Sequence, residues 1–567
     1  MAKWLALFVS LTLGWTLACA GLAAAAGMDQ SAGEGHTIGS YGGTFKVAVL
    51  GDPGTFNPLA AVDPTSVAVS RILFDSLTKI DGVSQEVAPA LVERWEASED
   101  GLTWTLHLRR GVYWHDGEPF AADDVLFTFD LILDDSVQKS DLLILDARPF
   151  EVRQIDAHTV ELNLATPFAP LVRALSIPVL PRHLLEEAWA AGAINEAWGS
   201  GAPLQGIVGT GAFRMAAYEP QDRIVLERNH HYWKFDAADQ RLPYLDRVEL
   251  IVVSDRSEQR SQFERGETDF MLIEPSEHAA ALNMAIQGDY VLYEGGPKFS
   301  SEFIVFNQNM ASRPVHDWFS IKAFRQAVAH ALDKRAMIDQ IYDGRASAQW
   351  SPVSSENKAF YNPHVRQYPF DLTRAEELLG EAGFFQGADG RLRDGKGNIV
   401  RFTLTTNVDN AERVAAASLI AASLGRLGIE ATIETLEFER VVKRLLSGDG
   451  WDVVAIGLAG VLDPHEARRV WRSSGELHIW RSNDEQPIAE WEARIDEILE
   501  AGASALDQDE RRRLYDEWQA IAAEELPFVY TVVPNMAAAV RITVQNVAFT
   551  AYGGMLHNVE ELWKAEN

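Results

Sequence analysis

The sequence between residues 401 and 456 alternates between short apolar strands and amphipathic helices, and this order sets strong limits on the fold. One predicted helix places Val414, Leu419, Ala422 and Leu427 on a single face and ends at Gly428, and a second covers residues 440–446. The predicted strands are 401–406, 429–434 and 452–456. This order predicts a right-handed parallel α/β unit. Because ligands bind beyond the carboxyl ends of the strands in such sheets, we expect the loop 457–464 to border a binding cleft.

The rest of the chain supports a two-lobed α/β body. Further strands are predicted at 44–50, 152–155, 159–164, 213–218 and 223–228. A helix is predicted over 321–342, ended by Asp343-Gly344. There is no internal repeat and no low-complexity linker, so we expect the lobes to be joined by short crossing strands.

The first residues predict export. Lys3 precedes an apolar run from residue 4 to residue 18, which suits a signal peptide and is short for a bilayer span. Two processing sites overlap: Cys19, the only cysteine, lies in a lipoprotein-like context with Thr16 where leucine is usual, and residues 24–26 fit an ordinary cut after three alanines. We therefore expect a periplasmic protein or one on the outer face of the cytoplasmic membrane, with a lipid anchor at Cys19 as the alternative to soluble release. Neither cut leaves a pair of cysteines for a disulfide.

Charge and composition limit the classes of partner that this protein can bind. The formal net charge of −32 argues against nucleic acid or anionic lipid as a ligand, because such binding needs basic patches. A hydrophobic content of 47% is enough for a large core, which about 540 residues after processing would divide among roughly three or four domains. No second long apolar run occurs, so any membrane subunit that works with this protein must be a separate chain.

The densest local pattern spans residues 87–130. We interpret it as a helical turn over 90–95, a strand in which Trp104, Leu106 and Leu108 alternate with polar residues, and a helix that begins near Asp123-Asp124. The order and identity of the residues in this stretch resemble the signature region of the family 5 solute-binding proteins. These are large periplasmic binding proteins that deliver oligopeptides, dipeptides, nickel or sugars to ABC importers. Further blocks in the order of that family are 209–213 (GTGAF), 227–233 (ERNHHYW), 242–248 (LPYLDRV), 266–269 (GETD), 306–309 (FNQN), 325–327 (RQA) and 331–334 (ALDK).

The resemblance implies a fold and a division of the chain. The fold is the α/β two-lobed periplasmic-binding-protein type, of the large cluster C class, with an extra subdomain in the first lobe. The predicted parts are the signal peptide 1–26 (1–18 for a lipoprotein), the first-lobe core 37–74, 208–300 and 534–567, the extra subdomain 75–207, and the second lobe 301–533.

The resemblance also implies a function. The protein would be the substrate-binding component of an ABC importer, a monomer that captures a small solute by lobe closure and delivers it to membrane permease and ATPase subunits, without a cofactor or a bound metal. An oligopeptide or dipeptide is the first expected ligand, an oligosaccharide the alternative, and a nickel complex the third.

The ligand cannot be carried over directly, because the loop after residue 456 departs from the family. Peptide-binding members hold the amino terminus of the peptide with an aspartate in a G-W-x-x-D pattern, whereas Leu458 stands here at the tryptophan and Val461 at the aspartate. Asp463 is the nearest carboxylate and would substitute for it, or it is an ordinary Asp-Pro turn. If Asp463 holds an ammonium group, its replacement by asparagine should sharply weaken binding.

Other candidate ligand contacts come from three regions. They lie in the loop before the first helix, where the family crosses between lobes, and around two tryptophans that could stack on a sugar ring or pack against side chains. The complete predicted set is Asp63, Thr65, Ser66, Ser300, Ser301, Phe303, Leu458, Ala459, Gly460, Val461, Asp463, Trp471, Trp480 and Tyr530.

Catalytic patterns are weak. His465-Glu466 is not followed by a histidine at the spacing of zinc proteases, and no G-x-S-x-G motif occurs. Adjacent His230 and His231 would face opposite sides of a strand, which makes them poor metal co-ligands. An exported glycoside hydrolase remains as a remote alternative, because its two carboxylates need only meet in space.

Overall fold

The computed structural model describes residues 37–137, 150–286, 288–309, 317–482 and 486–566. The predicted signal peptide and Cys19 lie outside the described residues. The described strands are β1 Thr44–Leu50, β2 Thr78–Ile80, β3 Val87–Pro89, β4 Val92–Ala97, β5 Thr103–Leu108, β6 Phe150–Asp156, β7 Thr159–Leu164, β8 Phe213–Glu219, β9 Arg223–Arg228, β10 Arg247–Val253, β11 Phe270–Ile273, β12 Tyr290–Pro297, β13 Ser300–Phe306, β14 Ala346–Ala348, β15 Phe385–Gln386, β16 Leu392–Arg393, β17 Arg401–Asn407, β18 Glu430–Leu436, β19 Val453–Ala459, β20 Phe528–Tyr530, β21 Val532–Arg541, β22 Val544–Gln545 and β23 Trp563–Lys564. The described α-helices are α1 Pro64–Leu73, α2 Ala122–Leu133, α3 Leu171–Ala174, α4 Arg182–Ala190, α5 Arg256–Glu264, α6 His278–Ala285, α7 Lys322–Ala331, α8 Lys334–Ile341, α9 Leu372–Glu381, α10 Ala411–Arg426, α11 Phe438–Ser447, α12 Arg468–Trp471, α13 Glu490–Ser504 and α14 Gln508–Glu525.

An eight-stranded sheet organises what we call the first lobe. Its strand order is β12-β21-β11-β1-β10-β9-β8, and β14 pairs with β21 off this path. β1 runs parallel to β10, with Val47 opposite Leu250, and both residues are buried. The alternation of apolar and polar residues in β1 places Phe45 and Val47 in the core, as the period of two requires.

A four-stranded antiparallel sheet, in the order β4-β5-β7-β6, forms a subdomain next to the first lobe. The prediction of a helical turn over 90–95 is wrong, because this segment contributes β4. Trp95 stands opposite Leu106 and Val92 opposite Leu108, with a bulge in the register between them. The cross-strand partners on β5 thus decide the conformation of a segment whose local composition also suits a helix.

The second lobe is built on a five-stranded sheet in the order β18-β17-β19-β13-β20. The predicted parallel unit is confirmed, since β17 pairs in parallel with both β18 and β19 and places Leu404 opposite Ile433 and Val453. β13 and β20 add antiparallel strands from distant parts of the chain. The unit therefore has the topology expected from the sequence, in a larger mixed sheet.

The long helix predicted over 321–342 is two helices, α7 and α8. The break falls at Leu332-Asp333, where the side chain of Asp333 accepts a hydrogen bond from the backbone N–H of Ala336 and caps α8. The apolar spacing that predicted one helix is still buried on both pieces, since Phe324, Ala331 and Met337 are inaccessible to solvent. A capping aspartate inside an apolar periodicity thus begins a new helix.

The lobes are joined by two short crossings. The chain leaves the first-lobe sheet after Pro297 and enters β13 at Ser300, and it returns between Tyr530 and Val532. The crossings are held together because the N–H of Lys298 donates to the carbonyl of Pro534 at 2.9 Å. Within the described residues, we find no helix long and apolar enough to cross a membrane.

Candidate functional site

The crossings create a junction that several predicted site residues share. β13 and β19 are antiparallel neighbours, with Ser300 opposite Ala459 and Ser301 opposite Leu458. The next residue, Gly460, donates its N–H to the carbonyl of Phe299 at 3.0 Å. The structure therefore brings together the predicted Ser300, Ser301, Leu458, Ala459 and Gly460, with Ala459 exposed and Ser301 buried.

Gly460 is needed for this close approach. A Cβ added to it would lie 2.5 Å from the carbonyl oxygen of Phe299, closer than side chains come to backbone. Phe299 in turn packs its ring edge-on against Tyr552, with centroids 5.3 Å apart. Phe299 and Tyr552 were not predicted from the sequence. Tyr552 comes from the C-terminal segment, far from any motif.

Phe303 and Tyr530 are core residues and do not line the junction. They are 2% and 3% exposed, and their ring centroids are 5.9 Å apart. Both pack in the hydrophobic cluster of the second lobe. Val461 is partly buried against the same cluster, and its carbonyl accepts from the side-chain amide of Asn357 at 3.2 Å.

The two predicted tryptophans pack against side chains, the second of the alternatives proposed for them. Trp471 and Trp480 are 3% and 0% exposed, and their ring centroids lie 5.3 Å apart. The indole N–H of Trp480 donates to the buried carboxylate of Glu492 at 3.1 Å. Neither ring offers a face to a ligand at the junction in this structure.

The carboxylate of Asp463 is occupied by internal partners. Both of its oxygens lie 2.8 Å from Nη2 of Arg511, and both side chains are almost inaccessible to solvent. Asp463 also accepts the backbone N–H of His465 and so caps the short 3₁₀ helix Pro464–Ala467. Attraction to Asp463 raises the pKa of Arg511 although burial alone would lower it. Asp463 therefore acts as a turn residue, as one of the two interpretations of the sequence expected.

Asp63, Thr65 and Ser66 form a capping cluster at the start of α1. Asp63 accepts hydrogen bonds from the N–H and the hydroxyl of Ser66, at 2.8 and 2.5 Å, and from the N–H of Gly54. Burial would raise the pKa of Asp63, but these hydrogen bonds lower it overall. Thr65 donates its hydroxyl to the carbonyl of Gly51. All three side chains are thus engaged in holding the loop to the helix.

Glu466, two residues before the α12 helix, is the carboxylate that is exposed at the junction. Its side chain reaches solvent, yet desolvation by the surrounding protein, followed by repulsion from Asp463, raises its pKa to about 7. Arg173 and Arg468 act in the opposite direction by attraction. Sequence reasoning does not select Glu466, because the only local pattern is the turn Asp463-Pro464 and no histidine follows at the spacing of zinc proteases.

The charges of first-lobe groups act on Glu466 and on Tyr552. Burial raises the pKa of Tyr552, and the positive charges of Arg173 and Arg71 oppose this effect while Glu466 adds to it. Glu466 and these first-lobe groups therefore influence one another by charge, and among the described residues no hydrogen bond or ion pair joins them. The junction therefore presents charges of both signs from opposite lobes.

The hairpin of β2 and β3 contacts the second lobe through Gln85. Gln85, in the turn between β2 and β3, is 6% exposed and has a left-handed φ of 64°. Its side-chain amide donates to the carbonyl of Glu356 at 2.8 Å and accepts the N–H of Lys358 at 3.0 Å. Its own carbonyl accepts from Nη2 of Arg173 at 3.4 Å. Gln85 thus connects Glu356 and Lys358 of the second lobe to Arg173.

A separate cavity of about 410 Å³ lies within the first lobe. Its wall carries Glu560, which binds Lys79 at 2.7 Å and Lys234 at 3.1 Å. Asp75 lies in the same wall, and burial raises its pKa to about 6 despite hydrogen bonds from Trp233 and Tyr232. Across the described ranges, no group of three or more histidine, cysteine, aspartate or glutamate side chains could hold a metal ion.

Comparison with known proteins gives a consistent result. Residues 86–477 match the model of the bacterial extracellular solute-binding proteins, family 5 middle domain. A probable ABC transporter-binding protein of Deinococcus radiodurans is 27% identical over 515 residues, which cover 86% of both chains.

Solved structures share the fold. The oligopeptide-binding protein AppA of Bacillus subtilis, solved in complex with a nonapeptide, is 24% identical and superimposes with a TM-score of 0.71 over 93% of this chain and 100% of its own. The periplasmic binding protein MelB of Agrobacterium fabrum, solved with stachyose, is 24% identical with a TM-score of 0.73 over 94% of this chain and 86% of its own. The family model, which covers more than half of the sequence, and the two-lobed architecture agree that the chain belongs to the bacterial extracellular solute-binding proteins of family 5.

Proposed function

We propose that the protein is the extracytoplasmic substrate-binding component of an ABC importer, and that it captures a peptide by closure of its lobes. Family membership supports the binding role, and the similarity to the ABC transporter-binding protein of Deinococcus and the oligopeptide-binding protein AppA of Bacillus supports the link to ABC transport and to peptides. Closure requires a hinge and a surface where the lobes meet. The paired crossings at residues 298–299 and 531 suit the hinge, and the Gln85 contact suits the meeting surface.

One observation favours a peptide over a sugar. The two indoles that a sugar ring would stack on are packed in the second-lobe core, whereas Glu466 offers an exposed carboxylate at the junction. A neutral oligosaccharide offers this carboxylate only hydroxyl donors, whereas a peptide also offers an ammonium group of opposite charge. The stachyose complex of MelB keeps the oligosaccharide as the second candidate.

The remaining assignments follow from the same role. We propose that the chain is exported, that it acts as a monomer with separate permease and ATPase subunits, and that Cys19 is either lipidated or removed with the signal peptide. We also propose the lobe boundaries predicted from the sequence, which the distribution of strands between the two large sheets supports. An exported glycoside hydrolase stays the remote alternative to the binding role.

A thermal-shift screen tests the function. The mature protein is heated alone and with three probes: a library of short lysine-free peptides, stachyose, and nickel chelated by histidine. A ligand that binds only the folded state stabilises it by about 2.7 kcal/mol at a hundred times its dissociation constant. We expect a shift with the peptide library. A shift with stachyose alone would overturn the peptide assignment, and turnover of stachyose would indicate the hydrolase.

A further inference from the structure

The subdomain built on the four-stranded sheet also contacts the second lobe. Phe168 and Ala169 follow β7, and the N–H of Ala169 donates to the carbonyl of Ala503 at 2.8 Å. The ring of Phe168 packs edge-on against the ring of His465, with centroids 5.3 Å apart. His465 and Ala503 lie between the two crossings of the chain, whereas Phe168 and Ala169 precede the first. These contacts therefore join the two lobes away from the hinge.

The surface that the second lobe offers to the subdomain is largely apolar. Ala503 lies on α13, is fully buried and belongs to the hydrophobic cluster of the first lobe. Its carbonyl is among the last four of α13, which have no partner within the helix, so the N–H of Ala169 supplies one. Leu506 follows α13 and packs on Gly101 between β4 and β5, where an added Cβ would lie 2.6 Å from Cδ1 of Leu506. We call His465, Ala503 and Leu506 the docking face.

On the side of the first lobe, the segment that docks is tied to the hairpin of β2 and β3. α3 begins at Leu171, directly after the Ala169-Pro170 pair, and its Arg173 donates to the carbonyl of Gln85 at 3.4 Å. The hydroxyl of Thr78 on β2 donates to the carbonyl of Val172 on α3 at 2.7 Å. A movement of the hairpin away from the second lobe therefore also withdraws Ala169 from the docking face.

On the side of the second lobe, the partners of the hairpin are tied to the docking face. Gln85 binds the backbone on both sides of Asn357. The side-chain amide of Asn357 donates to the carbonyls of Val461 and Leu462, at 3.2 and 2.9 Å. These two residues precede the turn that carries His465. The contact at Gln85 and the contact at the docking face are thus linked within both lobes, and we expect them to form and break together.

We propose that the subdomain holds the closed state of the protein, because Phe168 and Ala169 dock on the docking face when the lobes close on a ligand and leave it when they open. This inference rests on the proposed capture by lobe closure and gives the subdomain a part in it. Opening exposes the apolar surface of Phe168 and Ala503 to water, so the contact favours the closed state. Because the affinity for a ligand scales with the closed fraction, the docking face also strengthens binding.

Hydrogen exchange at the N–H of Ala169 measures docking directly. Residues 167 and 170 are prolines without an amide hydrogen, so a proteolytic fragment covering 166–170 reports Phe168 and Ala169 alone. The mature protein is exchanged by itself and when saturated with the peptide that it binds most tightly from the lysine-free library. We expect bound peptide to slow the exchange of this fragment by about tenfold or more, since exchange then requires the lobes to open.

Leu506→Asp tests the docking face by a second route. Leu506 is 44% exposed, so the substitution removes no core residue. It brings a negative charge against the acidic turn 99–101 of the subdomain. We expect peptide affinity in calorimetry to fall by about tenfold, because the closed fraction falls by the same factor. Leu446→Asp on α11, where the leucine is 47% exposed in the same lobe, is the matched control and should bind like the wild-type protein.

The outcomes separate this inference from the proposed function. Equally slow exchange with and without peptide overturns the inference, since docking would then be permanent. Fast exchange in the peptide-saturated protein overturns it as well, because the peptide would be held without docking, and so does an unchanged affinity of Leu506→Asp. These three results leave the peptide receptor in place. Absence of any bound peptide overturns the proposed function, and this inference with it.

Discussion

Asp463 is predicted to be a structural residue, and its replacement separates stability from binding. In Asp463→Asn the guanidinium of Arg511 stays buried and loses the charge that both 2.8 Å contacts supply. Removing one partner of a buried ion pair costs about 3–5 kcal/mol, because the remaining charge is left uncompensated. Asparagine keeps the side-chain oxygen that caps Pro464–Ala467, so the loss is confined to the ion pair.

The expected fall in melting temperature follows from this free-energy cost and from the size of the second lobe. A unit of about 230 residues has an unfolding entropy of about 0.5 kcal/mol/K, so the melting temperature of this lobe should fall by about 6–10 °C. Calorimetry measures the shift, and Asp509→Asn on the exposed start of α14 is the control, with an expected loss below about 1 kcal/mol.

Peptide binding by Asp463→Asn is a second measurement, independent of its melting temperature. Below its melting temperature, Asp463→Asn should bind free peptides with the affinity of the wild-type protein. A variant that melts like the wild-type protein but loses binding to free peptides would refute this reasoning. It would return Asp463 to the role of the ammonium receptor.

Three further variants test other parts of the structure. Gln85→Ala removes the two hydrogen bonds that the Gln85 side chain forms with Glu356 and Lys358 of the second lobe. Peptide affinity should therefore fall, and X-ray scattering at a fixed peptide concentration should show a larger radius of gyration than for the wild-type protein. Trp480→Phe should cost about 2 kcal/mol in chemical denaturation and leave peptide affinity unchanged, because the indole is fully buried. Burial would raise the pKa of Glu560, but attraction to Lys79 and Lys234 lowers this pKa overall. The ionised carboxylate of Glu560 therefore contributes its full stabilisation above the ordinary pKa of 4.5. This stabilisation is lost as the pH falls through the lowered pKa. Glu560→Gln should thus cost about 2–3 kcal/mol near pH 7, with a difference from the wild-type protein that shrinks under acid in calorimetric melts. Equal stability of the two proteins at both pH values would contradict the ionic role.

Much of the fold follows from periodicity in the sequence. The parallel unit of the second lobe could be predicted because β17, β18 and β19 follow one another with helices between them, so local patterns carry the topology. The strand conformation of segment 90–95 could not be predicted, because it depends on pairing with β5 across the sheet. The break between α7 and α8 is marked in the sequence by the capping residue Asp333. It was missed because the apolar periodicity continues on both sides of this residue.

The site was harder to predict than the fold. Ser300, Leu458 and Gly460 lie together because β13 begins and β19 ends at the junction. Their role as ligand contacts stays a prediction. Tyr552 could not be predicted, since it reaches the junction from the C-terminal segment through tertiary packing alone. Trp480 was predicted as a possible ligand contact, but it is fully buried in the core. The sequence around an aromatic residue in a loop looks the same whether its ring faces a ligand or the core.

Small-angle X-ray scattering on the mature protein, alone and with the lysine-free peptide library, tests the central claim most directly. If the lobes capture a peptide by closing on the junction of Glu466 and Tyr552, the library should lower the radius of gyration and bring the scattering curve to that of the arrangement in which Gln85 contacts Glu356 and Lys358. An unchanged curve from protein that calorimetry shows to be saturated with peptide would contradict capture by closure.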